Sequence, residues 1–165
     1  MRMQPIVWLP RPVMHEMHLD ADKWYDDETG GTFMGYWADS DVAVVTASIP
    51  GGPHAQRTRY SFLPDQEWQQ TEIGRHYVQS ARLDNYLGDW HTHPNAACGS
   101  LSCKDRACLK KIINTPSARN VTPIMILICG NRQSWNLHAW VARLRRPFIF
   151  YDQLIADEAV VQFYG

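Results

Sequence analysis

A chain of 165 residues, 45% hydrophobic and 20% charged, has the make-up of a single folded domain over residues 1–165 and excludes a disordered chain. Its formal charge of -1 gives no bulk electrostatic case for nucleic acid or a membrane surface. Its longest apolar run, Ile124 to Cys129, is too short to span a bilayer. Pro5 and Pro10 interrupt the apolar residues near the N-terminus, so no signal peptide is expected. The cysteines Cys98, Cys103, Cys108 and Cys129 are too sparse for a disulfide framework, which favours a reducing cytoplasm.

In chain order, Ile6 to Leu9 reads as a short strand closed by Pro10 and Pro12. Met14, Met17, Ala21, Trp24 and Tyr25 fall at helical spacing and predict a helix over Val13 to Asp27. Gly30-Gly31 stops it. Thr32 to Trp37 and Val42 to Ile49 read as a strand pair around the turn Ala38 to Asp41. Pro50-Gly51-Gly52-Pro53 opens a loop through Arg57 and Arg59, which its position offers for substrate contact. A helix is predicted from Asp65 to about Arg82, with Trp68, Ile73, Tyr77 and Ala81 on one face. Tyr86 to Trp90 is a short strand, followed by a helix that Ser102 can cap and Asn114-Thr115-Pro116 ends. Pro123 to Cys129 is a buried-type strand, Gly130-Asn131 a turn, and Trp135 to Arg143 an alternating strand. Pro147 to Gly165 shows no clear period and cannot be placed. The whole predicts an α/β (α+β) fold, a central mixed sheet flanked by helices.

The stretch that carries chemistry is Trp90-His91-Thr92-His93-Pro94, continued by Ser102-Cys103-Lys104-Asp105. In extended chain, residues i and i+2 point to one side, so His91 and His93 can face one ion while Thr92 points away. Asp105, Leu109 and Ile112 share a helical stripe, which turns the Asp105 carboxylate inward one turn from the helix start. Two histidines and one carboxylate with an open position make a hydrolytic zinc site. Glu28, followed by Gly30 and Gly31, is the candidate general acid/base, and Ser102 the candidate oxyanion donor. Taken singly, Ser102-x-x-Asp105 also reads as a helix cap and Glu28 as a solvated carboxylate. The five residues gain meaning together, because one site uses all of them.

These residues resemble a known family. Glu28-Thr29-Gly30-Gly31-Thr32-Phe33-Met34-Gly35 resembles the Glu-x-x-Gly-x-hydrophobic-x-Gly segment of JAMM/MPN (JAB-type) metalloproteases. Trp90 to Pro94 and Ser102-x-x-Asp105 resemble their zinc motif, and the likeness runs from about Glu28 to His138. It is strongest to stand-alone prokaryotic JAB proteins found beside ubiquitin-activating-like and ubiquitin-conjugating-like enzymes, many of them in CBASS anti-phage operons. The resemblance implies one Zn2+ per chain bound by His91, His93 and Asp105, with Glu28 as acid/base and Ser102 as oxyanion support. It implies cleavage after the C-terminus of a ubiquitin-like protein, or of a nucleotidyltransferase conjugated through its own C-terminus. The His93 to Asp105 interval is one residue longer than the family pattern, and no proline precedes the serine. Ser100 therefore stands beside Ser102 as a candidate, with the three-residue spacing favouring Ser102.

Rival readings exist. Cys98, Cys103 and Cys108, spaced five apart, could hold a structural zinc with a histidine, or Cys98 or Cys103 could reversibly occupy the open zinc position. A non-catalytic MPN-type scaffold and a RadC-like, DNA-associated JAB protein are the other two. Arg143, Arg145 and Arg146 read either as a solvated strand end or as a docking patch for an acidic partner.

Overall fold

The computed structural model describes residues 3–97 and 99–165. The elements in order are β1 (Ile6–Pro10), α1 (Arg11–Lys23), β2 (Gly30–Asp39), β3 (Val42–Pro50), β4 (Gln56–Thr58) and β5 (Ser61–Leu63). Then come α2 (Gln66–Gln79), β6 (Asn85–Pro94), α3 (Cys103–Ile113), a 3-10 turn (Pro116–Ala118), β7 (Ile124–Asn131), β8 (Ser134–Phe148) and β9 (Tyr151–Tyr164). Seven strands close into a barrel in the order β1-β3-β2-β6-β7-β8-β9, and β4 and β5 form a separate two-stranded hairpin. The sheet is mixed as expected: β1 runs parallel to β3 and β9, and β6 parallel to β7, while the other pairs are antiparallel.

The period-2 alternation of β7 sorts the core into two layers. Ile124, Ile126 and Ile128 face a cluster with Phe33, Val45 and Trp90, to which α1 adds Val13 and Met17. Met125, Leu127 and Cys129 face the other way and pack with Leu109 of α3. Helix α1 ends at Lys23, four residues short of the predicted Asp27, and the chain turns before Glu28. Pro12 sits in the first turn of α1, where its missing N–H costs nothing.

Beyond shifts at element ends, such as α2 stopping at Gln79 and β7 running through the predicted turn Gly130-Asn131, three stretches differ from the sequence reading. The loop after Pro50 contains the hairpin β4–β5, with Arg57 opposite Phe62. Strand β6 does not stop at Trp90 but continues through both histidines to Pro94. The C-terminal segment is β9, which pairs antiparallel with β8 over 139–148 and parallel with β1 over 6–10, closing the barrel. No helix among the described residues is long and apolar enough to cross a membrane.

Candidate metal centre

Strand β6 is held on both sides where it carries the histidines. Gly30 of β2 pairs with His91, while His91 and His93 lie beside Leu127 and Cys129 of β7. Alternation then sends Trp90 and Thr92 into one layer, both buried, and turns His91 and His93 toward α3.

Helix α3 begins in a capping box. Ser102 Oγ accepts from the Asp105 N–H at 3.1 Å, and Asp105 Oδ2 accepts from the Ser102 N–H at 2.7 Å. The cap and the ligand set are therefore one arrangement rather than rival readings. Capping fixes one carboxylate oxygen and aims the other, so that Asp105 Oδ1 lies 2.9 Å from His91 Nε2. His93 Nε2 stands 3.0 Å from His91 Nε2 and 4.0 Å from Asp105 Oδ2.

Among the described residues, these three are the one group of His, Cys, Asp or Glu side chains whose ligand atoms converge, all within 4.8 Å of one another. Donors at about 2.0–2.1 Å from a tetrahedral ion stand roughly 3.3 Å apart, so the set has the scale of a small divalent cation's first shell. The donor chemistry agrees. Burial, with the neighbouring His91, lowers the His93 pKa against the charge of Asp105, which favours the neutral imidazole that a ligand needs. Burial pushes the Asp105 carboxyl up, but the hydrogen bond and charge of His91 and the bonds to Ser102 outweigh it and hold the group at about 2. It is thus an anion at any working pH.

Glu28 lies just before β2, half-buried, with its N–H donating to Thr58 O at 2.8 Å. Burial raises its carboxyl pKa, while the charges of His91 and Lys104 pull it down and that of Asp105 pushes it up. The carboxyl therefore senses both His91 and Asp105, a residue of each element that supplies the set. Ser102 is exposed at the start of α3, and a hydroxyl that accepts from Asp105 N–H keeps its own proton to donate. Ser100 precedes the helix and takes no part in the cap. The five residues singled out from sequence thus fall in one region, on β2's approach, β6 and α3.

Among the described residues the cysteines form no comparable group. Cys103 is exposed, Cys108 partly buried and Cys129 buried, and none of the three is in a disulfide. Cys98 lies outside the described residues. Arg57, expected at the surface for substrate contact, is half-buried instead. Its guanidinium carbon sits 4.2 Å from the Trp24 ring centroid and its Nε donates to Thr29 Oγ1 at 2.9 Å. Arg59 stays exposed. Of the basic trio, Arg143 pairs with Asp157 and Arg146 with Asp152, so both are engaged across β8–β9.

Residues given no role in the site from sequence lie on or next to the segments that carry it. Asp89, two before His91 on the same side of β6, accepts from Tyr86 OH at 2.9 Å, and burial raises its carboxyl to about 6. Tyr25 OH donates to Asn95 Oδ1 at 2.5 Å, just past His93-Pro94. Thr29 and Thr92 bond each other directly. The available signal was a hydroxyl-bearing residue at Thr92, a core-facing position where a purely apolar residue would have packed equally well.

Comparison with known proteins gives consistent results. The profile of a family described as prokaryotic homologs of the JAB domain matches residues 10–142. A Sinorhizobium fredii (strain NBRC 101917 / NGR234) protein named "Probable metalloprotease y4qB" is 50% identical over 162 residues, covering 98% of this chain and 99% of that protein. The solution structure of protein DSY2949 from Desulfitobacterium hafniense superposes with a TM-score of 0.65 at 18% identity, over 96% of this chain and 92% of that one, and speaks to the fold alone.

Proposed function

The chain belongs to the family of prokaryotic homologs of the JAB domain and is a JAMM-type metallopeptidase, and from that premise we propose that it is a zinc-dependent peptidase or isopeptidase acting after the C-terminus of a ubiquitin-like protein, or of a protein conjugated through its own C-terminus. The observation that carries the reading is the convergence of His91, His93 and Asp105, with a Glu28 carboxyl that feels the charges of His91 and Asp105. Two imidazole nitrogens and a carboxylate would hold zinc and leave a position open. Zinc bound there supplies Lewis acidity and lowers the pKa of water.

The protein's own groups do the rest. The Glu28 carboxylate takes a proton from the attacking water as its oxygen bonds to the scissile carbonyl carbon. As the C–N bond breaks, the same carboxyl returns that proton to the leaving amine. A carboxyl whose affinity for protons is raised by burial suits both halves of that task. Ser102 Oγ–H donates to the carbonyl oxygen as it becomes an oxyanion. An extended substrate tail adds beside the β4–β5 hairpin, which borders Glu28 through the Thr58 carbonyl. On its likeness to stand-alone JAB proteins, the protein serves as a cytoplasmic deconjugase in a bacterial anti-phage system. Its substrate there is a nucleotidyltransferase conjugated through its own C-terminus.

The test is a cleavage panel. Zinc-loaded protein is incubated with ubiquitin-like domains joined at their C-terminus to a reporter, either linearly or through a lysine, and products are mapped by mass spectrometry. A cut at the C-terminal residue, dependent on zinc and lost in Glu28→Gln with metal retained, supports the reading. A fully metal-loaded protein that cleaves none of the panel overturns it in favour of an interaction scaffold.

A further inference from the structure

The carboxyl assigned as acid/base comes from a different part of the chain than the metal ligands, so something must fix the distance between them. The segment that carries Glu28 has no regular structure: it lies between the end of α1 at Lys23 and the start of β2 at Gly30. Its contacts are nonetheless specific. The Thr29 N–H donates to Thr92 Oγ1 at 2.9 Å, and the Thr92 N–H donates back to Thr29 O at 2.8 Å. Thr92 stands between the two histidines, and both threonines are fully buried. A reciprocal pair of this kind ties the residue next to Glu28 to the residue flanked by both imidazole ligands, through a side chain that itself faces away from the metal.

The Thr29 hydroxyl is used too. It donates to Asp20 Oδ2 at 2.6 Å and accepts from Arg57 Nε at 2.9 Å. Arg57 belongs to β4 and is packed over Trp24, with its guanidinium carbon 5.7 Å from the Phe62 ring centroid as well. The same hairpin receives the Glu28 N–H on Thr58 O. Glu28 is therefore held at its own amide by the hairpin, and at the next residue by both the hairpin and the histidine strand. Two fixed points one residue apart leave the backbone of Glu28 little freedom to swing.

We infer that Thr29, Thr92 and Arg57 are positioning residues for Glu28, with Thr92 setting its reach to the metal centre and Arg57 linking it to the β4–β5 hairpin. The inference rests on the proposed role of Glu28. None of the three touches the reacting atoms. A lapse of about 1 Å in placing a reacting group costs on the order of 10²-fold in rate, so such a clamp has a measurable effect.

The test uses Thr92→Val, which keeps the branched shape and removes the hydroxyl, Thr92→Ser, which restores it, and Arg57→Lys, which keeps the charge and loses the planar stack. On a substrate cleaved by wild type, Thr92→Val and Arg57→Lys are expected to lower kcat roughly tenfold or more with KM unchanged and metal content retained, and Thr92→Ser to recover most of the rate. In a Glu28→Gln background, Thr92→Val is expected to change the residual rate by less than about twofold, because both act through one group. Amide exchange gives a readout free of catalysis: the Thr29 N–H is expected to exchange faster in Thr92→Val. Unchanged kcat, loss of metal in Thr92→Val, or full additivity with Glu28→Gln overturns the inference. If wild type cleaves nothing, the role of Glu28 falls, and an unchanged Thr29 exchange rate would then overturn the clamp separately.

Discussion

Gly30→Ala places one methyl group where β2 and β6 come closest, beside the site. A Cβ built at Gly30 would lie 2.3 Å from the Trp90 carbonyl oxygen and 2.9 Å from two carbons of the Phe62 ring. The ring can turn aside, but the carbonyl belongs to the strand that carries the histidines. Reaching even 3.0 Å, the shortest separation a real Cβ tolerates, requires the strands to part by 0.7 Å. Overpacking of this kind costs about 1–3 kcal/mol, which for a domain of this size lowers Tm by roughly 2–12 °C. Gly30 pairs with His91 and lies two residues from Glu28, so the same shift opens the gap between Glu28, the proposed acid/base, and the strand of the two histidines. Approaching 1 Å, it costs on the order of 10²-fold in kcat. Because His91 and His93 move together on β6, metal content is expected to stay close to that of wild type. The assay pairs thermal melts and metal analysis with steady-state rates, and Gly74→Ala is the control. Nothing lies within 4 Å of a Cβ at Gly74 on α2, so this change is neutral or stabilises by up to about 1 kcal/mol. A Gly30→Ala variant with wild-type Tm and kcat would refute the reasoning.

Removing the metal with a chelator is expected to lower Tm by roughly 8–16 °C if free metal stands near 1,000 times its Kd, an effect of about 4 kcal/mol. In His91→Ala or Asp105→Ala the melt should ignore the chelator. Ser102→Ala removes the acceptor for the Asp105 N–H and should cost about 1 kcal/mol of stability, together with roughly 10²–10³-fold in kcat. Ser102→Asp separates the two roles: it can cap the helix and keep Tm, but it lacks the donor and should stay inactive. His18 on α1 has an enclosed Nε2 with no hydrogen-bond partner, and burial lowers its pKa against the charge of Asp22, with His15 adding to the lowering. The unfolded chain therefore binds this proton more readily. The stabilising contribution is full above the ordinary value of 6.5 and is lost as pH falls below it toward the depressed folded value. His18→Leu should flatten the Tm-against-pH curve between pH 7 and 5, and an unchanged slope would show that other groups set it.

The convergence of the candidate metal ligands was legible because each of its signals is local. His91 and His93 share a side of any extended segment, and Ser102-x-x-Asp105 places its carboxylate by the geometry of one helical turn. The three helices and the buried strand β7 were legible for the same reason, since periodicity within one element decides them. What was lost depends on pairing between distant segments. Three-residue strands such as β4 and β5 carry too few positions to show alternation, so Arg57 read as a loop residue free for substrate, although its partners are Trp24 and Thr29. The Thr29–Thr92 pair spans 63 residues, and its one local signal, a hydroxyl at a core-facing position, does not name the partner. The case of β9 is different. Residues 151–159 pair with β8, after a turn that leaves Ile149 and Phe150 exposed, while residues 160–164 pair with β1 and close the barrel. The buried face changes along the strand: Leu154 and Ala156 pack on the layer of Leu109, whereas Ala159, Val161 and Phe163, of the other parity, pack in the layer of Trp90. No single period can describe it, and the sequence shows none because the physical setting has none.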